Sequence, residues 1–404
     1  MKVLIYLEED RVAPVGGPLG VGYHIKETIE RKGIKNIYFL PGNENKKTKE
    51  AAQKKWLYKH KALTKIVRSF RHFIEYQRMF NKPVDNTNFF NEYDVVHFHR
   101  TSDMYKQRKS LEKYKGIVLI TSHSPIPLAQ ELLAASATKW ETMYMKKNWK
   151  KFVEMDSWAF NNADYILFPC EDAEEPYFLN WSEYRNIHDS CEKKYRYIPT
   201  GISDISAKKS ALDVRREHGI SDTDFVAVYA GRHNDVKGYD ILKKIGETYL
   251  SNNDDTTFFI AGTEGPIMRL NHPKWVEVGW TREVHEIINA GDVFILPNKF
   301  TYFDLIMIEV LALGKIVIAS RTGGNKFFEK EGVEGVFLYD SIEEACILLN
   351  HIKNMTHEER KILGAKNREF FENNLTSDRY VQKYLSLLNN IESNHDKNIN
   401  TGAL

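Results

Sequence analysis

Short apolar runs recur along the chain and alternate with amphipathic stretches of helical period. Many of the runs end in loops that contain glycine, proline or serine, a pattern typical of buried strands that lead into helices. Strands that alternate with helices indicate parallel sheets. We predict strands at 2–7, 36–40, 94–98, 117–121 and 165–168 in the first half, and at 225–229, 257–261, 275–278, 293–296, 316–319 and 336–338 in the second half.

A proline and glycine junction at residues 198–202 separates the two series of strands. At 404 residues the chain is too long for one ordinary core and suits two domains of roughly 200 residues each. We therefore predict an α/β fold with two doubly wound Rossmann-like domains, 1–202 and 203–375, that face each other across a cleft. Residues 376–404 are predicted to form a C-terminal helix that returns toward the first domain, with a polar tail from Asn394.

Composition is that of an ordinary globular protein, because 42% of the residues are hydrophobic and 28% are charged. No run approaches the roughly 18 apolar residues of a membrane-spanning helix, and the apolar start of the chain breaks at Glu8, too early for a signal peptide. The three cysteines are scattered, which argues against a disulfide framework or a zinc site. We therefore expect a cytoplasmic protein with no nucleic-acid partner.

The net charge of +2 hides a strongly basic segment, because residues 46–80 hold eleven Lys and Arg against two Glu. Aromatic and aliphatic residues such as Trp56, Ile66 and Phe70 are interleaved there at near-helical spacing. A basic amphipathic helix of this kind is able to lie on an anionic membrane surface. An ordinary surface helix with a solvated basic face explains the same pattern, so both interpretations stay open.

Two cations, Arg232 and Lys237, occupy the loop that directly follows the predicted strand 225–229. Ligands of doubly wound sheets bind beyond the carboxyl ends of the strands, and this loop lies there. Arg supplies a rigid bidentate fork and Lys a compact point charge, so together they are able to neutralise a departing diphosphate. A solvated basic loop would be the simpler explanation if the motif stood alone.

A second candidate feature follows the strand 293–296, where an apolar helix is predicted to start near Asp304. Its first backbone N–H groups would point toward the same edge of the sheet and offer a site for phosphate or sugar oxygens. Glu309 lies in an otherwise apolar part of this helix. Burial of its carboxylate is costly without hydrogen-bond donors, so a ligand diol such as a ribose is a suitable partner, and a core Lys or Arg is the structural alternative.

The order of these motifs resembles retaining glycosyltransferase family 4 of the GT-B fold, over most of the chain and most strongly over 225–330. The shared features include Gly231-Arg232, Lys237-Gly238 and the stretches 261–265, 278–280 and 297–314. In that family the Arg and Lys bind the donor diphosphate, and the Glu that matches Glu309 holds the nucleotide ribose. The resemblance also implies donor contacts from Glu264, Val278, Thr301, Phe303, Asp304 and Leu305.

Two positions depart from the family pattern. Family members carry a first Glu, which contacts sugar hydroxyls, where this chain has Thr301, and they usually carry a Gly where this chain has Asp304. Either Asp304 or Thr301 takes over the sugar contact for a different donor, or the chain has lost catalysis and serves as a partner of an active transferase. The presence of Arg232, Lys237 and Glu309 favours the first interpretation.

The first domain contributes two features to the resemblance. Gly16 and Gly17 match a glycine-rich loop that the family places next to the donor phosphates, and glycine allows such close backbone approach, although a plain tight turn is the alternative. His123, at the end of the predicted strand 117–121, matches a family His near the reacting sugar. A lone His is more often structural, but its position at the carboxyl end of a strand favours the functional interpretation.

Two patterns suggest metal binding but do not require it. His97 and His99 lie on one face of a predicted strand, yet a third ligand at convincing spacing is missing, so we interpret them as cleft lining or packing. The triplet 222–224, Asp-Thr-Asp, precedes its strand, where a turn is the better explanation. We therefore expect neither a metal nor another cofactor.

These patterns predict transfer of a sugar from a nucleoside diphosphate sugar to a hydroxyl acceptor, which is a glycan, a lipid-linked saccharide or a protein. The family resemblance implies that the anomeric configuration is retained. The candidate catalytic residues are Arg232, Lys237, His123 and Asp304. The basic segment would permit peripheral contact with the inner face of the cell membrane. Two alternatives remain, a sugar-nucleotide epimerase of the same fold and a catalytically silent binding partner.

Overall fold

The computed structural model describes residues 1–14, 17–42 and 61–401. The chain divides into two compact units. Unit 1 holds Met1–Phe168, Tyr177–Ile198 and Val381–Leu404, and unit 2 holds Pro169–Pro176 and Pro199–Tyr380.

Unit 1 is built on a parallel sheet of six strands in the order β2-β1-β3-β4-β5-β6. The strands are β1 Val3–Glu8, β2 Ile37–Leu40, β3 Val95–Phe98, β4 Ile117–Thr121, β5 Tyr165–Phe168 and β6 Tyr195–Tyr197. Every residue of β3 and β4 is buried, as expected for central strands that helices cover on both faces.

The helices from the first half of the chain fill the connections between these strands. Short 3₁₀ turns occur at Glu9–Arg11, Glu171–Glu174 and Glu192–Lys194. The α-helices are α1 Pro18–Lys32, α2 Lys61–Asn81, α3 Thr87–Phe90, α4 Thr101–Lys106, α5 Arg108–Leu111, α6 Leu128–Ala134, α7 Lys139–Lys147, α8 Trp149–Asn162, α9 Glu175–Asn180 and α10 Tyr184–Cys191.

Unit 2 holds a second parallel sheet of six strands, in the order β12-β11-β10-β7-β8-β9. The strands are β7 Phe225–Ala230, β8 Thr256–Ala261, β9 Trp275–Gly279, β10 Val293–Leu296, β11 Ile316–Ser320 and β12 Val336–Tyr339. The chain builds outward from β7 to β9 and then returns to place β10 on the other side of β7. Because connections leave β7 and β10 toward opposite faces, a crevice forms at their carboxyl ends, which is where doubly wound sheets bind ligands.

The helices of unit 2 cover both faces of this sheet. One face packs on α12 and α16 through a core that includes Leu242, Ile245 and Leu349, all fully buried. A 3₁₀ turn occurs at Gly323–Asn325. The α-helices that follow Pro199 are α11 Ala211–Glu217, α12 Tyr239–Leu250, α13 Val284–Asn289, α14 Leu305–Ala312, α15 Lys326–Lys330, α16 Ile342–Asn354 and α17 His357–Asn374. The last helix, α18 Ser377–Thr401, belongs to unit 1 from Val381 onward.

All eleven predicted strands are confirmed to within one residue at each end, and the α/β class with two parallel sheets is confirmed with them. The structure adds β6, which the sequence pattern did not indicate. This strand has only three residues and a central arginine, and it forms because its backbone pairs with the edge of β5. The polar stretch predicted as a tail from Asn394 belongs to α18 in the described residues, because this helix continues to Thr401. Backbone hydrogen bonds within a helix do not need an apolar face.

The basic segment is only partly described, because residues 46–60 lie outside the described ranges. The remainder belongs to α2, which is helical as its spacing predicted. Of the helices in the described ranges, none has the length and apolar character needed to cross a membrane.

Candidate active site

The carboxyl edge of the sheet in unit 2 carries the two loops singled out by the sequence. The loop after β7 runs from Gly231 to Gly238, and the loop after β10 runs from Pro297 to Asp304. Gly238 has a φ of +64°, and a Cβ atom there would lie 1.7 Å from the carbonyl oxygen of Pro297. Only glycine permits both this backbone conformation and this close approach. The two loops are therefore pressed together at the switch point of the sheet.

Lys237 and Asp304 meet across the two loops, with 2.5 Å between Nζ and Oδ2. The same Oδ2 atom accepts a hydrogen bond of 2.6 Å from the side-chain amide of Asn298. Asp304 occupies the N-cap position of α14, yet its side chain makes no capping hydrogen bond. The carboxylate is turned toward Lys237, so it partly neutralises the lysine.

Arg232 is exposed, and within the described residues its guanidinium makes no hydrogen bond or ion pair. Its backbone is held in place, because the Tyr229 hydroxyl donates to the Arg232 carbonyl at 3.0 Å. The neighbouring His233 is fully buried and stacks on Tyr239 with 3.8 Å between ring centroids. A fixed backbone with a free guanidinium is suited to an anionic ligand that arrives from solvent.

Asn298 is a further candidate residue of this site that the sequence pattern did not single out. Its side chain is 1% exposed, and its Oδ1 atom has no hydrogen-bond partner among the described residues. The Ser320 hydroxyl holds its backbone by donating to the carbonyl oxygen at 2.5 Å. The sequence feature that could have indicated this residue is its position directly after Pro297, at the carboxyl end of a strand. An unsatisfied buried oxygen beside Lys237 and Asp304 is a potential acceptor for a ligand hydroxyl.

Glu309 lies one helical turn into α14 and is less enclosed than its apolar neighbours suggested. Its side chain is 23% exposed, and its Oε2 atom lies 3.4 Å from Nε2 of His285 on α13. Within the described residues, the charged or ionisable group next to this carboxylate is therefore the imidazole of His285 and not a core Lys or Arg. Its open side leaves the second carboxylate oxygen accessible to a ligand.

Thr301 and Phe303 lie behind the loop surface. Thr301 is 2% exposed, and its carbonyl oxygen would clash with a Cβ atom at Gly323 at 2.1 Å. Phe303 is 5% exposed and packs on the ring of Phe328 with 5.4 Å between centroids. In this conformation, Asp304 and not Thr301 presents a side-chain oxygen at the edge of the sheet.

The remaining predicted donor residues of unit 2 are more scattered. Glu264 is exposed in the loop after β8, where it accepts a hydrogen bond of 3.0 Å from the backbone of Arg269. Val278 is half-buried in the edge strand β9, and Leu305 is half-buried as the first residue of α14. Leu305 thus adjoins the Lys237–Asp304 pair in sequence, whereas the other two stand on neighbouring strand ends.

The predicted residues of unit 1 form a separate group. Gly16 lies outside the described residues, and Gly17 is exposed at the N-cap of α1 with a φ of +80°. His123 follows β4, and its Nε2 atom lies 2.7 Å from Nδ1 of His99, which follows β3. Burial lowers the pKa of His123 to about 3, so its imidazole is neutral at physiological pH.

His97 continues this histidine group into the core of unit 1. Its ring nitrogens lie 3.0 Å from the Tyr384 hydroxyl on α18 and 2.8 Å from the Thr121 hydroxyl. Burial lowers its pKa to about 3. In the ranges that the structure describes, no group of three or more His, Cys, Asp or Glu side chains is arranged to hold a metal. The expectation of packing is confirmed for His97.

The acidic triplet before β7 forms the turn that its sequence predicted. Asp222 pairs with Arg216 on the surface at 2.6 Å. Asp224 accepts hydrogen bonds from Thr257 at 2.5 Å and from Lys274 at 2.7 Å. The two carboxylates therefore serve local contacts at the amino edge of the sheet, on the side away from the candidate site.

The chain thus has the fold of GT-B glycosyltransferases, with two parallel α/β sheets and a cationic loop at the switch point of the second. Its structure is similar to that of sucrose-phosphate synthase from Thermosynechococcus elongatus, with a TM-score of 0.62 and 17% sequence identity. The superposition covers 97% of this chain and 98% of the synthase chain. Anabaena HepE in complex with UDP matches 96% of this chain and 100% of its own, with a TM-score of 0.61 and 13% identity.

Sequence comparison identifies the type of domain that unit 2 contains. Residues 224–354 match the family described as Glycosyl transferases group 1, so unit 2 carries a domain of that group. A trehalose synthase from Pyrococcus horikoshii is 31% identical over 113 residues, 27% of this chain and 26% of the relative. A glycogen synthase from Clostridium botulinum is 22% identical over 258 residues, 59% of this chain and 52% of the relative. The chain therefore spans about half or less of these curated relatives.

Proposed function

We propose that the protein is a glycosyltransferase that moves a sugar from a nucleoside diphosphate sugar to a hydroxyl acceptor. The observation that carries this proposal is the cationic pair Arg232 and Lys237 at the switch point of a group 1 glycosyl transferase domain. Within the described residues the Arg232 guanidinium makes no ion pair, and the Lys237 ammonium is paired with Asp304, so we propose that a diphosphate binds the guanidinium and competes with Asp304 for the ammonium. Glu309, with one side open, is the proposed ribose contact.

The donor is proposed to be a uridine diphosphate sugar. One structural neighbour, Anabaena HepE, was solved with UDP and with UDP-glucose. The Lys237–Asp304–Asn298 cluster would meet the sugar end of such a donor, because Oδ1 of Asn298 has no hydrogen-bond partner in the described ranges and Asp304 presents a half-buried carboxylate. In this assignment Asp304 takes over the sugar contact that family members make with their first Glu.

In the proposed reaction the bond between the anomeric carbon and the diphosphate oxygen breaks first, and the electron pair leaves with the diphosphate. Arg232 and Lys237 stabilise the charge that develops on the leaving group. The acceptor oxygen then bonds to the anomeric carbon on the face that the diphosphate left, and a departing phosphate oxygen takes the acceptor's proton. Resemblance to family 4 supports this retaining course. The step needs no metal, because the two side chains supply the positive charge.

The catalytically silent partner is the second candidate, because Thr301 stands in place of the first family Glu and is buried. A silent partner has no need for a free arginine beside a lysine at the phosphate position, which favours the transferase. The epimerase alternative is distinguished by its product, because it converts the donor without an acceptor.

Arg232→Ala tests the proposal. The variant should fold normally and lower kcat/KM for transfer by about 10²- to 10³-fold, the usual loss when one charge-stabilising group is removed. Arg216→Ala is the matched control, since it removes an exposed arginine at the opposite edge of the same sheet. UDP-glucose should raise the melting temperature of the wild type and not of Arg232→Ala. Unaltered turnover in Arg232→Ala would refute the assignment.

We further propose that α2 contacts a membrane surface and that the acceptor is a lipid-linked saccharide. Leu63, Ile66 and Phe70 lie within one face of this helix and are 46%, 60% and 59% exposed. Exposed Lys65 and Arg68 supply positive charge for anionic headgroups.

Vesicle flotation tests this contact. The wild type should float with vesicles that contain phosphatidylserine or phosphatidylglycerol and not with neutral phosphatidylcholine vesicles. Ile66→Asp combined with Phe70→Asp should abolish flotation, because charge opposes insertion into the lipid interface. Met143→Asp, another strongly exposed apolar position in unit 1, is the control and should float as the wild type does. Equal flotation of all variants would contradict the proposal.

A further inference from the structure

Unit 1 contains a cavity of about 530 Å³, separate from the loops at the sheet edge of unit 2. Its walls come from α6, from the first half of α8 and from the segment between α9 and α10. This volume lies within the range of small-molecule sites, roughly 300–1,000 Å³. Two tryptophans, Trp149 and Trp181, line it together with Gln130, Lys150, Glu154 and Asp156.

Trp181 carries the observation that points to a ligand. Trp181 is only 6% exposed, and its Nε1 atom has no hydrogen-bond partner in the described part of the chain. The indole is locked by ring contacts with Phe160 at 5.9 Å and Tyr184 at 5.5 Å. A buried N–H group usually finds an acceptor, and a tryptophan that lines a cavity can receive one from a bound molecule.

The walls of the cavity are rigid. Asp156 is 1% exposed, and its two carboxylate oxygens accept from the Thr101 hydroxyl at 2.5 Å and from the Ala129 amide at 2.8 Å. The Gln130 side-chain amide donates to the backbone carbonyl of Asn180. These contacts tie α4, α6 and the end of α9 to α8, so the cavity is held open by hydrogen bonds within unit 1.

The lining chemistry selects the class of ligand. Indole faces pack well against the C–H faces of pyranose rings, and the Trp181 N–H offers a hydrogen bond to a hydroxyl oxygen. Glu154 and Glu183 are exposed at the rim, and within the described residues their side chains make no hydrogen bond or ion pair, so these carboxylates are able to accept from sugar hydroxyls. Among the lining residues the carboxylates of Glu154 and Glu183 face a single cation, Lys150. Because negative charge prevails there, a phosphate or other anion would be repelled.

We propose that this cavity binds a neutral saccharide of one or two rings and thereby holds the acceptor glycan. The description of that saccharide as an acceptor rests on the proposed transferase function, whereas the binding itself does not. The saccharide stacks on Trp149 and receives the hydrogen bond of Trp181.

Titration of the full chain with maltose, lactose and N,N′-diacetylchitobiose tests the proposal through intrinsic tryptophan fluorescence and saturation-transfer NMR. At least one of the three disaccharides should bind saturably to the wild type. Trp181→Phe keeps the ring but removes the N–H group and should weaken that binding about five- to tenfold. Glu154→Gln changes only an exposed rim residue and should weaken it about threefold.

Trp140→Phe is the matched control, since Trp140 is 49% exposed in unit 1 and is not among the residues that line the cavity, and its affinity for the disaccharide should equal that of the wild type. UDP binding is measured in parallel by thermal shift and should be the same in all variants. Saturable binding by none of the three disaccharides, or unchanged affinity in both Trp181→Phe and Glu154→Gln, would overturn the inference. If the wild type does not bind UDP, that result would count against the transferase function. The proposed binding of a saccharide to the cavity would still be decided by the disaccharide titrations.

Discussion

Asp304→Asn tests whether the carboxylate that Lys237 holds competes with a bound diphosphate. This carboxylate accepts from Lys237 Nζ at 2.5 Å and from Asn298 Nδ2 at 2.6 Å. The substitution keeps the shape of the side chain and removes its negative charge. A diphosphate that binds the same ammonium group then no longer faces an adjacent anion.

The size of the effect follows from the distances. A phosphate oxygen would lie roughly 2.8 Å from the ammonium nitrogen, so the carboxylate and phosphate oxygens are at most about 5.3 Å apart. Two unit charges at that separation repel by about 0.8 kcal/mol in water and by about 3 kcal/mol at an effective dielectric constant near 20. Exposures of 30% for Lys237 and 19% for Asp304 place the pair between these limits. We expect Asp304→Asn to bind UDP about 5- to 30-fold more tightly, which corresponds to about 1–2 kcal/mol.

Isothermal titration with UDP measures this change directly. The gain should shrink as NaCl rises from about 50 mM to about 500 mM, because salt screens the repulsion. Asp235→Asn is the matched control, since Asp235 lies in the same loop but is 75% exposed and pairs with Lys299. Its effect should stay below about twofold. An unchanged UDP affinity in Asp304→Asn, or an equal gain in Asp235→Asn, would refute the competition.

Asp304→Asn should also slow transfer if the carboxylate contacts the donor sugar. Tighter UDP binding combined with a lower kcat would then separate the two roles of this residue, because the first reports on the diphosphate and the second on the sugar. A kcat equal to that of the wild type would assign Asp304 to the diphosphate alone.

Two further predictions concern the scaffold of each unit. Gly238→Ala should lower the free energy of unfolding by at least about 2 kcal/mol, because the new Cβ atom meets backbone at 1.7 Å, and UDP affinity should fall with it. Gly332→Ala has a similar φ of +68° with no atom within 4 Å and should cost only about 1 kcal/mol, and urea unfolding of both variants compares them. In unit 1, His97 has a pKa of about 3 against 6.5 when unperturbed, so the unfolded chain binds the extra proton and stability falls as pH drops from about 6.5 toward about 3. Urea unfolding at pH 7 and pH 5 should show a smaller loss for His97→Gln than for the wild type, and an equal loss would contradict this assignment.

Local sequence was sufficient for much of the fold. Apolar runs such as 225–229 and 293–296 read directly as strands, because a strand buried on both faces needs an unbroken series of apolar side chains. The sequence pattern does not indicate the strand β6, because its three residues acquire strand structure only by pairing with β5. The continuation of α18 to Thr401 is not indicated for a related reason, since a polar stretch extends a helix that has already formed.

The candidate site likewise contains residues that the local sequence indicates and contacts that only folding creates. Arg232 and Lys237 were found because a cationic loop after a buried strand is a local pattern with a direct chemical meaning. The partners of the charged groups were not found, because His285 reaches Glu309 and Asp304 reaches Lys237 only through folding. The unsatisfied oxygen of Asn298 is equally invisible in a linear chain.

The sequence by itself determined the two series of parallel strands, the strand ends that carry charge, and the departure at Thr301 and Asp304. Only the tertiary structure decided that Thr301 is buried while Asp304 holds Lys237, and that Trp181, which lines a cavity, has a buried Nε1 atom with no hydrogen-bond partner among the described residues. The physical reason is that periodicity records which side chains avoid water. Hydrogen-bond partners and cavities depend on how elements distant in the chain are brought together.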